Sequence, residues 1–188
     1  LATNTTPGSG KPHWIQGFGG LGTELPRGLA VTDDNAAVIV GYFEGASDLG
    51  ARGGTDSKPD IRTTAANIGK ASPADISLAD SDAFVSKFDN DGKQQWTLTF
   101  GGVTGDAATS VASRGKQIMV VGNFSDKITI ALPGAPTEKA PSAKAFGADD
   151  MFALLLNDSG EAQWLFAAGG ADSDGAKSHW ASPLSLSN

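Results

Sequence analysis

Between Gln95 and Phe100 apolar and polar residues alternate strictly. Trp96, Leu98 and Phe100 share one face, and Gln95, Thr97 and Thr99 share the other, which is the period of a half-buried strand. Ala37-Val38-Ile39-Val40 and Ile118-Met119-Val120-Val121 are short apolar runs rich in branched residues, each ending at a glycine (Gly41, Gly122). They predict strands buried on both faces. Leu29-Ala30-Val31 and Ser110-Val111-Ala112 are shorter companions upstream. The run from Ala83 to Phe88 alternates imperfectly and feeds Asp89-Asn90-Asp91-Gly92, a set of turn formers that predicts a hairpin into the Trp96 strand. No segment has convincing helical periodicity; residues 63–70 would hold at most one turn of helix.

These elements recur in order. Trp14-Ile15-Gln16-Gly17-Phe18-Gly19-Gly20 returns as Trp96-Thr97-Leu98-Thr99-Phe100-Gly101-Gly102, and again as Trp164-Leu165-Phe166-Ala167-Ala168-Gly169-Gly170. Gly41-Tyr42-Phe43 answers Gly122-Asn123-Phe124. Asp82-Ala83-Phe84-Val85 answers Asp150-Met151-Phe152-Ala153, and the turn Asp89-Asn90-Asp91-Gly92 answers Asn157-Asp158-Ser159-Gly160. The spacing from Asp82 to Trp96 equals that from Asp150 to Trp164, whereas the interval after Gly41 is longer than that after Gly122. Fixed intervals are packed strands and tight turns; the variable ones, residues 44–81 and 125–149, are loops suited to recognition.

A repeat fixes architecture before local propensity does. The fold class predicted is all-β: β-propeller-like blades of four-stranded antiparallel meanders, with units at 14–95 and 96–163 and a partial third from 164. Residues 1–13 form a flexible leading segment rich in Thr, Gly, Pro and Ser. Residues 14–174 hold the repeats, and 175–188 begin a further unit or form a tail. The three tryptophans Trp14, Trp96 and Trp164 are expected to pack in like surroundings, because each shares a face with further apolar residues. Sugar stacking is the alternative for an exposed Trp. The Gly-Gly pairs are expected to serve a bend or positive φ.

Composition adds limits. The 188 residues include 25 glycines and no cysteine, and the formal charge is −7. Disulfides and thiolate metal sites are excluded. The acidic balance argues against nucleic acid or an anionic membrane as partner, and no apolar run approaches the length of a membrane span. The chain opens at Leu1 without a basic and apolar leader, as a mature product or an excerpt would.

The ordered landmarks resemble the bacterial β-propeller repeat often called the SBBP repeat. Its pattern is carried by Phe100-Gly101-Gly102, Gly105-Asp106, Val120-Val121-Gly122-Asn123-Phe124, Asp150-Met151-Phe152 and, most closely, Asp82-Ala83-Phe84-Val85. The first unit departs from it with Gly22-Thr23-Glu24 in place of Gly-Asp, and the third tryptophan strand has Ala168 where Phe belongs. The resemblance implies a secreted or cell-surface bacterial protein.

Two units and a fraction cannot close a ring of four to eight blades. A longer chain, several copies in a ring or stack, or a two-sheet sandwich would each shield the bare faces. Self-association or further repeats of a longer chain are therefore the expected partners, with a protein or glycan as possible ligand. No catalytic residue is predicted. His13 and His179 have no cysteine to help build a zinc site and no Gly-x-Ser-x-Gly nearby. Asp89, Asn90 and Asp91 resemble the start of a calcium loop but lack its distal carboxylate, so the turn is the plainer reading and no cofactor is expected. Function is expected to be that of a non-enzymatic scaffold or interaction module. A lectin-like propeller is the alternative. A fragment of a quinoprotein-like enzyme, suggested by Gly92-Lys93-x-x-Trp96, is a third.

Overall fold

The computed structural model describes residues 13–17, 19–20, 23–44, 47–48, 81–102, 104–130 and 141–172. Phe18, His179, the leading residues 1–12, the segment 63–70, the tail 175–188 and most of the 44–81 loop lie outside the described residues. Twelve strands follow one another and no helix occurs among the described residues. They are β1 (Gly19–Gly20), β2 (Glu24–Val31), β3 (Ala37–Phe43), β4 (Ser47–Asp48), β5 (Asp82–Phe88) and β6 (Gln94–Phe100), then β7 (Ala107–Arg114), β8 (Gln117–Phe124), β9 (Lys127–Thr129), β10 (Ser142–Lys144), β11 (Asp150–Asn157) and β12 (Ala162–Ala168). The all-β expectation therefore holds.

Two four-stranded antiparallel sheets dominate, in the orders β2-β3-β5-β6 and β7-β8-β11-β12. Both are meanders. Their irregularities coincide: the register slips between Pro26 and Gly28 and between Ala108 and Ser110, and again between Lys87 and Phe88 and between Leu155 and Leu156. Hydrogen bonding groups each tryptophan strand with the strands before it, so a unit counted from Trp to Trp is offset by one strand from the sheet. Trp14 to Gly17 form no strand; only Gly19–Gly20 pair, with Ser47–Asp48.

The tight turns carry the hairpin chemistry the sequence announces. Gly92 donates its N–H to the Asp89 carbonyl at 2.9 Å, and Gly160 does the same to Asn157 at 3.0 Å. Both glycines have positive φ (78° and 81°). This is the three-residue loop of a type I turn followed by a left-handed residue; beyond it the extra residues Gln95 and Gln163 make the bulges opposite Lys87–Phe88 and Leu155–Leu156.

Each sheet has two unlike faces. One carries the tryptophan: Trp96, Leu98 and Phe100 stand opposite Lys87, Val85 and Ala83, just as Trp164, Phe166 and Ala168 stand opposite Leu155, Ala153 and Met151. The other carries the phenylalanine of the third strand, Phe84 or Phe152. The main core joins the tryptophan face of the first sheet (Val38, Val40, Ala83, Val85, Leu98, Phe100) to the phenylalanine face of the second (Ile118, Val120, Phe124, Phe152, Leu154, Leu156). Phe100 meets Phe152 edge-on at 5.5 Å and Phe152 meets Phe124 at 6.5 Å, each contact worth about 1 kcal/mol beyond burial. Packing is thus head to tail and not face to like face. The first sheet's phenylalanine face holds a smaller cluster, Phe43 and Phe84 with Ile39.

Candidate functional site

The head-to-tail contact is organised by a tryptophan set on a glycine. Gly160 closes the β11–β12 turn, and the Trp96 ring of the first sheet lies against it: a Cβ on Gly160 would meet Trp96 Cδ2 at 2.8 Å. The indole N–H of Trp96 donates to the Asp158 carbonyl of the same turn at 2.9 Å. Gly92, in the equivalent turn of the first sheet, receives Trp14, and a Cβ there would meet Trp14 Cδ2 at 2.6 Å. Trp14 also stacks on Phe88 with centroids 6.4 Å apart, while the Gln16 amide donates to the Gly92 carbonyl at 2.8 Å. Only glycine serves at such a turn, because its φ is positive and no side chain fits under the ring.

The same contact is strengthened by charge. Lys87 is fully buried on the tryptophan face of the first sheet, and its ammonium pairs with Asp158 of the second sheet's turn and lies 3.7 Å from Asp34. Lys87 escaped the sequence reading: the second unit has Leu155 there, so no repeat pointed to it. A hydrogen bond from Thr32, and then the charge of Lys87, hold Asp34 below the usual carboxylate range against the opposing pull of desolvation.

Beyond β6 the chain passes a buried carboxyl pair. A Cβ on Gly101 would run into the Asp82 carboxylate and would lie 2.7 Å from Asp106 Oδ2. Asp106 accepts a hydrogen bond from the Gly102 N–H at 2.7 Å, and its own N–H donates to the Ser81 carbonyl at 2.8 Å. Burial pushes the Asp106 carboxyl up to about 8; the Gly102 bond opposes this and the Asp82 charge adds to it. Gly169 leaves room for Asp150 in the same way, and Gly19 stands beside Glu24, whose Oε2 would be 3.3 Å from a Cβ there. Glu24 thus takes the place of Asp106 in the first unit, which accounts for that departure from the repeat pattern. Gly101, Gly102 and Gly169 do not have positive φ. The expectation of a bend or positive φ holds at Gly19 (φ 150°) and is corrected at Gly101, Gly102 and Gly169 to one of room: a carboxylate fills the Cβ position at Gly101 and Gly169, and the Lys127 carbonyl fills it at Gly102. Gly41 and Gly122 likewise make way for the Leu25 and Ala107 carbonyls of the neighbouring strand.

Of the calcium candidates, Asp89 is engaged in its own turn. Asp89 Oδ1 accepts from the N–H groups of Asp91 (3.0 Å) and Lys93 (2.8 Å), and Asn157 Oδ1 accepts from Ser159 and Glu161 in the same pattern. Asp91 meets His13, whose Nε2 lies 3.4 Å from its carboxylate. Among the described residues no three His, Asp or Glu gather to hold a metal ion, and no helix is long and apolar enough to cross a membrane.

The third tryptophan departs from the first two. Trp14 and Trp96 are half-buried against their glycines, but Trp164 is 41% exposed, with Phe166 at 60% and Met151 at 51% beside it. The expectation of like surroundings is corrected here: among the described residues no glycine lies under the Trp164 ring. Among the described residues the tryptophan face of the second sheet thus presents an exposed apolar row on a β frame. No protein-family model matches the chain, and no curated protein matches it.

Proposed function

We propose that this protein is a non-enzymatic interaction scaffold, a secreted or cell-surface bacterial module of β-propeller-type repeats that works within a larger array. The observation that carries this reading is the unlike-face packing of two equivalent sheets, which leaves one tryptophan face open. A symmetrical sandwich would consume like faces in pairs; a head-to-tail contact always leaves an unmatched face at each end of a stack. The motif resemblance to bacterial repeat proteins supports the location.

Light scattering of the purified chain across a concentration series tests the reading. Association that rises with concentration and is abolished by Trp164→Glu with Phe166→Glu is the expected result. A monodisperse monomer at every concentration, unchanged by those substitutions, would remove it.

The exposed rings of Trp164 and Phe166 also favour a second reading, a carbohydrate platform, since an aromatic face suits the apolar face of a sugar ring. Glycan-array binding lost on Trp164→Ala would establish it, and an array at background would dismiss it.

A further inference from the structure

We infer that Met151 is an oxidation site, and that converting its thioether to the sulfoxide with a peroxide switches off association through the tryptophan face of the second sheet. The inference rests on the scaffold reading and adds a regulation to it.

The chain has two methionines and no cysteine, so Met119 and Met151 hold its only sulfur atoms. Both fall on one face. Met119 of β8 and Trp164 of β12 stand opposite Leu155 from either side, and Met151 stands opposite Ala168, two positions along from Phe166. By the alternation of strands all four share the tryptophan side of the second sheet. Met119 is half-buried and Met151 is exposed.

The first sheet shows what the same positions hold beneath a cover. The counterpart of Met119 is Val38, opposite Lys87 as Met119 is opposite Leu155. The counterpart of Met151 is Ala83, opposite Tyr42 as Met151 is opposite Asn123. Val38 and Ala83 are fully buried in the main core. The covered row is plain hydrocarbon at both places, and the exposed row carries sulfur at both. A thioether fits an irregular apolar partner well, and it is also open to oxidation.

The reaction balances with a peroxide alone. The Sδ lone pair of Met151 takes one oxygen, the O–O bond breaks, and the sulfur gives up two electrons. The proton left on the new oxygen joins the departing hydroxide as water. The product is a polar, chiral sulfoxide where an apolar side chain stood, and sulfoxide reductases reverse it. A sulfoxide oxygen pressed into an apolar contact loses its water without gaining a donor. The fold is spared, because the second sheet's share of the main core (Phe152, Leu154, Leu156) lies on its other face.

Peptide mass spectrometry of the full chain in graded hydrogen peroxide, with light scattering on the same samples, tests this. Met151 is expected to gain its oxygen about tenfold faster than half-buried Met119. The association constant should fall by about tenfold or more as it does so, and methionine sulfoxide reductase should restore it. Met151→Leu keeps the volume; it should associate like the parent and ignore peroxide, whereas Met119→Leu should stay sensitive. Met151 oxidising no faster than Met119 overturns the inference. So does a Met151 sulfoxide that leaves association unchanged, or a Met151→Leu chain that peroxide still dissociates. Insensitivity of Met119→Leu also overturns it, since the switch would then sit at Met119. A parent chain that never associates, seen before any oxidant is added, is the separate failure of the scaffold reading, and the switch falls with it.

Discussion

Trp96 and Trp164 are the same residue in two circumstances. Each stands on the fourth strand of a meander, one position past an equivalent bulge and beside an equivalent row of positions. Trp96 lies on Gly160 and bonds to Asp158; Trp164 faces outward. The difference owes nothing to the strand that carries the ring. Packing of these sheets is a property of pairs of sheets, and burial of a repeat residue depends on whether the neighbouring repeat is present.

Substitutions can break or sharpen this contrast. The largest effect is expected from removing the two rings separately. Trp96→Ala should cost about 3 kcal/mol, the low end for a buried aromatic because the ring is only half-buried, while Trp164→Ala should stay within about 1 kcal/mol. Urea unfolding at constant pH gives both values, and equal losses would erase the distinction.

The glycine side of the seat comes next. Gly160→Ala should cost about 2 kcal/mol, combining left-handed strain with a methyl group driven into the Trp96 ring. Gly115→Ala, with positive φ but open space above it, should cost about 1 kcal/mol from strain alone. If the two losses coincide in thermal unfolding, the ring does not rest on Gly160.

A smaller effect per step of pH comes from the junction after Trp96. The Asp106 carboxyl, raised to about 8 by burial, binds its proton more tightly in the folded chain than in the unfolded one. Between about pH 4 and pH 8 the folded state therefore holds more protons, and stability falls as pH rises, by at most about 1.4 kcal/mol per unit. Above pH 8 this contribution is fully lost and the curve levels. Asp106→Asn should flatten that window. A wild-type chain whose stability rises from pH 5 to pH 8, with the variant following it, would contradict the assignment.

Much of the frame was legible because repetition amplifies it. Strict alternation around Trp96, the branched runs before Gly41 and Gly122, and the Asx-to-Gly turns each found their strands and hairpins. The turn glycines follow from local chemistry, so sequence places them correctly. What lies across the sheets was not legible. Gly101 and Gly169 read as bends, but their reason is a carboxylate from a distant strand in Asp82 or Asp150. Lys87 read as one polar position on an uneven strand, and only the approach of the second sheet's turn explains its burial. The exposure of Trp164 was invisible for the same reason: its local pattern matches that of Trp96, and nothing in that pattern encodes the absence of a cover.

A double-mutant cycle on Trp96 and Gly160 tests most directly whether the ring-on-glycine contact joins the two sheets. With Trp96→Ala already made, the methyl group of Gly160→Ala meets no ring, and only the backbone strain remains. Unfolding free energies of the four proteins should then show a coupling of about 1 kcal/mol, against none for Trp164 paired with Gly160. Additive losses at Trp96 and Gly160, within about 0.3 kcal/mol, would contradict it.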